Sequence, residues 1–532
     1  MRRRHTILLI AVILTGAGLR AATPEECAST VVVYNFNSPD GKSLADFYCN
    51  ARGIDPSRQI PLLTSTNEEI SRADYDLTLA GPFRDVLLSR GYWSVTRDMM
   101  NRPIVVASSV RYVVLIRGLP LKIKECGDYP GDAKVQPAPV GTCNAASVDS
   151  ELSVLGLFTP QISGVLNNPV CNNAAHSVFN PQPPPSLLFV SRLDAPTPEA
   201  VKAMVLNGIK AESEGLWGWG YIDLRSISNA GYVQGDRWIK AAGTAMRRSG
   251  IPVITADLPD TYQSGFPVTD AAAYYGWYAE SIDGPFADPF FRFVPGAVAA
   301  HLHSFSATTL HDPNKGWTGP LILHGASASL GNVYEPYLAF TTDFGSMASC
   351  LLAGSNLADS YYAAQPVLSW MGVLVGDPLY RPYACFSSEE GTSPSRSVWT
   401  DYRRIVLAHG GNVLEAADDL KARAEQGGQS LYLEALANAQ VDEGRLTEAE
   451  ASFRRASELS RQPAVQFRLL LETARCLEKE GHADKGAALL RQGLVRFNNS
   501  SQRGLLLAWI ARLDPIKPVP SPSPASASRP LS

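Results

Sequence analysis

Several features that would decide the class of this 532-residue sequence at once are missing from it. No Cys-x-x-Cys occurs among its eight cysteines, which removes the strong zinc and dithiol redox signatures. No Gly-x-Ser-x-Gly occurs either, so there is no nucleophile elbow of the serine-hydrolase kind. No apolar run reaches the roughly 20 residues a membrane-spanning helix needs. Charge is sparse, at 18% of residues with a net of −4, and it is unevenly placed. Residues 21–399 hold 25 basic and 35 acidic groups. A phosphate-tracking groove needs the opposite sign, so nucleic acid is excluded as a partner. With 45% hydrophobic residues, neither disorder nor a collagen-like repeat fits.

What is present begins with an export signal. Met1-Arg2-Arg3-Arg4 precedes an apolar run from Ile7 to Leu14, then small residues ending near Ala21-Ala22. This is the layout of a signal peptide over residues 1–22, with a retained short anchor as the alternative. An exported chain, periplasmic or extracellular, permits disulfides. Cys126 with Cys143, bracketing a Gly/Pro-rich loop, and Cys27 with Cys49 are the expected pairs. Cys476 falls in a helix interior and reads as a buried thiol.

Strand-like and helix-like segments alternate from Thr30 to about residue 383. Thr30–Phe36, Arg111–Ile116, Leu187–Ser191, Gly220–Leu224, Pro252–Ala256, Ala297–His301 and Pro320–Leu323 are short apolar runs bounded by turn signals. Such runs suit strands covered on both faces. Helices are predicted from Lys42, from Thr197-Pro198 to about Glu214, and from Asp236 to Arg248, stopped by Gly250. The series implies an α/β domain over residues 28–385, with a mostly parallel sheet and helices on both faces. Residues 124–186 break the rhythm and read as an insertion. Residues 386–400 read as a linker, residues 401–513 as an all-α module, and residues 514–532 as a disordered Pro/Ser-rich tail.

The densest chemistry lies between Ala297 and Leu330, which holds His301, His303, His311 and His324, half of the eight histidines. If the strand continues past His301, period-two geometry puts His301 and His303 on one face. A divalent metal held by His301 and His303 needs a third ligand, and Asp223 or Asp257, near strand ends, could supply it or orient a histidine. Ser327, after the predicted strand Pro320–Leu323, is the candidate nucleophile. Small residues that let a strand and helix pack closely are the plainer account of Gly325–Ser329. The aromatic stretch Tyr274–Tyr278 serves either as core or as a cleft wall beside the histidines. Asp149 and Glu151 face apart on a helix and suit its N-terminal dipole. The glycines at 215, 218 and 220 lead into a strand, which is the wrong order for a phosphate cradle.

The order of a His after one strand, a possible nucleophile after the next, and a late Gly376-Asp377-Pro378 resembles the gingipain-type, caspase-fold cysteine peptidases. At the positions that match, His301 or His303 is present, but Ala326 or Ser327 stands where a Cys is needed. Strings such as ISRADYDLTLAGPFRDVL, HLHSFSA and LSWMGVLVGDPLYRP resemble an uncharacterised family of exported bacterial proteins. The resemblance implies a caspase-like fold whose peptidase nucleophile is lost. In the all-α module, residues 430–459 resemble a tetratricopeptide repeat, with Ala437, Ala449, Phe453 and Ala456 at the packing positions. A second copy begins about 37 residues later, with Ala474, Gly486, Leu490 and Gly493. The resemblance implies a groove that docks a protein or peptide. The expected activity is therefore binding, by a non-catalytic or degenerate peptidase relative. A hydrolase using His303, His301 and Ser327 or a metal is the alternative.

Overall fold

The computed structural model describes residues 22–127, 143–158, 164–171, 183–258, 260–387 and 397–515. The expected signal peptide, most of the insertion, the linker's centre and the tail past Asp514-Pro515 lie outside these residues. Among the described residues, no helix is long and apolar enough to cross a membrane.

Most of the predicted apolar runs become strands, joined by others the pattern did not mark. In chain order these are β1 (Thr30–Asn35), β2 (Gln59–Leu62), β3 (Trp93–Arg97), β4 (Pro103–Ser108), β5 (Tyr112–Ile116), β6 (Phe189–Leu193) and β7 (Trp219–Leu224). Then come β8 (Val253–Asp257), β9 (Ala271–Trp277), β10 (Val298–Leu302), β11 (Ala328–Asn332) and β12 (Gly372–Gly376). Ten of them form one sheet in the order β8-β7-β9-β10-β11-β12-β6-β5-β1-β2. Strands β1, β5, β6, β7, β9 and β10 are buried along their whole length, as helices on both faces require. The sheet is mostly parallel, with β11 and β12 antiparallel to each other.

Two quartets share one topology. β2-β1-β5-β6 and β8-β7-β9-β10 each place their second strand outside the first and their third and fourth inside it. In open parallel sheets, ligands gather at the carboxyl ends beside the point where strand order reverses. Here those points lie between β1 and β5 and between β7 and β9.

Local signals set the helices. Asn229 accepts from the Gly231 amide and caps α3 (Ala230–Arg248), which starts six residues before the predicted Asp236. α1 (Gly41–Arg52), expected from Lys42, ends at Gly53, and α2 (Pro198–Glu214) is capped by Thr197 as expected. One segment changes class. Pro320–Leu323, predicted as a strand, lies in the buried helix α4 (Thr318–Leu323). A short apolar run covered on all sides carries no periodicity to tell the two apart.

Gly376-Asp377-Pro378 is a structural corner. Asp377 accepts from Arg52 and from the Tyr48 hydroxyl at 2.8 Å, and Arg52 also clamps Glu212 with bonds of 2.6 and 3.0 Å. None of the eight cysteines forms a disulfide. The Cys27 thiol donates to the Arg52 carbonyl at 3.4 Å, and Cys49 is buried in α1. In place of a Cys126–Cys143 bridge, the Asn144 side chain accepts from the Cys126 amide at 2.9 Å and donates to its carbonyl at 2.8 Å.

The C-terminal part is a run of helices: α5 (Val398–Ala408), α6 (Ala417–Gly427), α7 (Ser430–Asp442), α8 (Leu446–Leu459), α9 (Pro463–Lys479), α10 (Ala483–Arg496) and α11 (Ser500–Leu513). All eight packing positions read from the sequence are buried. The run is not separate from the sheet, however, and shares one continuous hydrophobic core with it. α7 is buried from Leu431 to Gln440 and α9 nearly throughout, whereas α8 and α10 bury one face. Arg468 of α9 bonds Glu434 of α7 and reaches across to Tyr221, Pro267 and Thr269. Arg475 donates to the Thr255 carbonyl at 2.9 Å, and Arg247 pairs with Asp442. The inner helices expected to dock a partner are thus covered by the chain's own sheet edge.

Candidate functional site

The His-x-His pair divides at the end of β10. The strand stops at Leu302, so only His301 keeps the sheet register. Asp223 of β7 lies opposite Gly276 of β9, and Gly276 lies opposite His301. All three therefore face the same side of the sheet. Tyr274, two residues before Gly276, shares that side and lays its ring along the strand. A Cβ at Gly276 would stand 2.3 Å from the Tyr274 hydroxyl and 3.0 Å from the Asp223 Cβ. The missing side chain is what lets the hydroxyl reach between acid and imidazole.

Hydrogen bonding fixes the protons. His301 Nε2 accepts from the Ala279 amide at 2.9 Å, so the ring proton sits on Nδ1. Nδ1–H donates to the Tyr274 oxygen at 2.9 Å, and the Tyr274 hydroxyl donates to Asp223 Oδ2 at 3.2 Å. Trp317 stacks on the imidazole with ring centroids 3.6 Å apart and planes 5° apart. Burial, with Arg225 and His303 nearby, holds His301 well below the ordinary imidazole range. Burial outweighs Arg225 at Asp223 and pushes its carboxyl up to about 7. His301 therefore spends both nitrogens inside the fold. As a metal ligand or a catalytic base it is overturned, because neither lone pair nor proton faces outward.

His303 lies past the strand and lines a cleft of about 180 Å³. Its Nδ1–H donates to the Ser304 carbonyl, so the neutral ring carries its lone pair on Nε2, which bonds no described residue. Tyr232, Trp277, Tyr278, Leu302, Pro336, Leu338 and Thr341 line the cleft, with Asn229 and Gly231 at the α3 N-terminus. Tyr278 leans on His303 with centroids 4.6 Å apart and meets Tyr232 edge-on at 5.5 Å. The cleft sits at the carboxyl ends of β7, β9 and β10, where strand order reverses. The aromatic stretch serves both offered roles. Tyr274, Tyr275 and Trp277 are core, and Trp277 and Tyr278 also form the cleft wall.

The two aliphatic hydroxyls in the cleft are engaged. Ser304 donates to Glu335 at 2.6 Å, and Thr341 donates to the Leu338 carbonyl at 2.8 Å. No cysteine lines the cleft, and its one carboxylate, Glu335, is held by Ser304 and the Tyr337 amide. Ser327 is elsewhere. Its amide donates to the Ala297 carbonyl at the start of β10, six residues before His303 or about 20 Å along a strand. Its hydroxyl is buried without a partner. Ser327 fails as the nucleophile because it precedes its strand instead of following one.

Asp257 ends the edge strand β8, three strands from β10 or about 14 Å across the sheet. Burial works against its charge, but Ser226 and Lys479 at 3.0 Å hold its carboxyl below the usual range. It joins sheet to helices and orients no histidine. His311 bonds Asp194, the residue after β6, at 2.9 Å, and His324 faces the Phe291 carbonyl at 3.1 Å. The four histidines do not converge. Among the described residues, no three His, Cys, Asp or Glu side chains gather as a metal would require.

Tyr232, Asn229, Glu335 and Leu338 escaped the sequence reading. The only signal available was the end-of-strand placement of their loops. Comparison with protein families, curated proteins and solved structures found no match.

Proposed function

We propose that this chain is an exported, non-catalytic relative of the caspase-fold peptidases that binds peptide in the cleft beside His303. Tetratricopeptide-like helices brace the sheet edge in this reading and do not capture the partner. The caspase-like assignment draws support from a parallel sheet with His303 at a strand end and the late Gly-Asp-Pro corner. The export assignment rests on the Arg-rich and apolar start of the sequence.

One observation carries the functional reading. His303 offers an unpaired Nε2 to an aromatic-walled cleft that holds no cysteine and no hydroxyl bonded to that nitrogen. With no hydroxyl or thiol bonded to Nε2, the ring has no side-chain nucleophile in hand to activate for acyl transfer. The same atom is a good acceptor for a peptide N–H. At about 180 Å³ the cleft is slightly larger than the roughly 150 Å³ cavities that hold benzene, so it suits one aromatic or large aliphatic side chain.

The test is selection from a displayed random peptide library, followed by titration of the best labelled peptide. Tyr278→Ala and His303→Ala should each weaken binding about tenfold or more, as for anchor residues at an interface. Equal affinity in wild type and both variants would remove the cleft from the account.

A further inference from the structure

Strands β3 and β4 pair only with each other and form a hairpin outside the main sheet. Trp93 and Val105 anchor its base, while Val95, Ile104 and Val106 are exposed along its length. At the tip, Met99 is 106% exposed and Met100 75%. Two adjacent, largely solvated apolar side chains are unfavourable in water alone.

The turn that presents them is closely hydrogen-bonded. Asp98 accepts from the Met100 amide at 2.9 Å and the Arg102 amide at 2.8 Å, and its other oxygen takes Arg102 Nε at 2.8 Å. The Asn101 amide donates to the Asp98 carbonyl at 2.9 Å, and the Arg97 guanidinium donates to the Asn101 carbonyl at 2.6 Å. The methionines are held out by a preformed scaffold, so little ordering remains to be done on insertion.

Charge identifies the partner. Residues 84–111 contain five arginines and two aspartates, with no lysine or glutamate, inside a region whose acids otherwise exceed its bases. Arg97 and Arg102 flank the methionine pair directly. An apolar tip flanked by Arg97 and by Arg102, the latter shared with Asp98, carries a net positive charge. It matches a bilayer surface carrying anionic headgroups, which accepts side chains between acyl chains and pairs with arginine at the phosphate level. We infer that the β3–β4 hairpin is a peripheral membrane contact, with Met99 and Met100 inserting into an anionic leaflet. This does not depend on the cleft or its ligand.

Vesicle flotation of the full chain tests it, with phosphatidylcholine vesicles compared against equal phosphatidylcholine and phosphatidylglycerol. Wild type should float with the anionic vesicles, less so as salt rises, and Met99→Ser with Met100→Ser should weaken this at least tenfold. Val495→Ser, which removes an 86% exposed side chain on α10, should leave flotation unchanged and controls for general stickiness. All sites are exposed, so the variants should keep the wild-type melting curve. No flotation of wild type, or equal flotation of the double variant, overturns the inference. So does a double variant that floats normally but loses self-association, which would make the hairpin a contact between copies.

Discussion

His301 and His303 are two positions apart and have unrelated jobs, because one lies in the strand and the other beyond it. Their spacing was legible in the sequence, and so was their place at a strand end. What was not legible was that β10 stops at Leu302, since a strand's last residue depends on which neighbour stops hydrogen bonding to it. Gly276 carried a similar hidden constraint, visible only once the Tyr274 hydroxyl is seen in the space its side chain would fill. The relay has a pH signature. The folded chain refuses a proton at His301 that the unfolded chain accepts below about pH 6.5, so this residue costs stability as pH falls. Asp223, raised to about 7, has the opposite sign and costs stability as pH rises toward that value. Comparing wild type with His301→Gln, which can keep both hydrogen bonds but cannot titrate, isolates the first effect. Urea unfolding should show wild type losing up to about 1.4 kcal/mol per pH unit relative to the variant below pH 6. A difference that stays flat with pH would mean His301 is not held neutral.

At the level of elements, the β-branched strands and the capped helices were readable because local propensity and tertiary burial agree there. β9 (AAAYYGW) and β11 (ASLGN) were missed for the converse reason. Their alanines, serines and glycines are weak strand formers, chosen for close packing between layers. Pro320–Leu323 was misassigned because full burial erased its period. The helices α7 and α9 showed their repeat pattern plainly, yet nothing in it says which face a neighbour covers. That face is closed by Arg468, fully buried, bonded to Glu434 at 2.7 and 3.1 Å and lying over the Trp219 ring. Arg468→Ala leaves Glu434 as an uncompensated buried charge and should destabilise the chain by about 3–5 kcal/mol in chemical denaturation. Arg468→Met combined with Glu434→Leu should recover most of that loss. A single variant as stable as wild type would show that this contact does not hold helices to sheet.

Over the whole molecule, composition marked a change near residue 400, and the structure has a large mostly parallel sheet followed by a C-terminal run of helices. The helical part shares its hydrophobic core with the sheet. A sheet edge at β8 needs a cover, and the inner helices need a surface on which to bury their apolar residues. Each supplies the other, and sequence alone cannot show such complementarity between distant segments. The proposed binding face is accordingly the cleft where β7, β9 and β10 end, and not the helices. Whether that cleft holds or cuts what it receives is decided by one experiment: incubating the purified chain with a random peptide library and reading bound and unbound fractions by mass spectrometry. The account expects intact peptides enriched in one aromatic or large aliphatic residue, with enrichment lost in His303→Ala and no new termini in either fraction. New peptide termini that vanish in His303→Ala would contradict it and make the chain a peptidase.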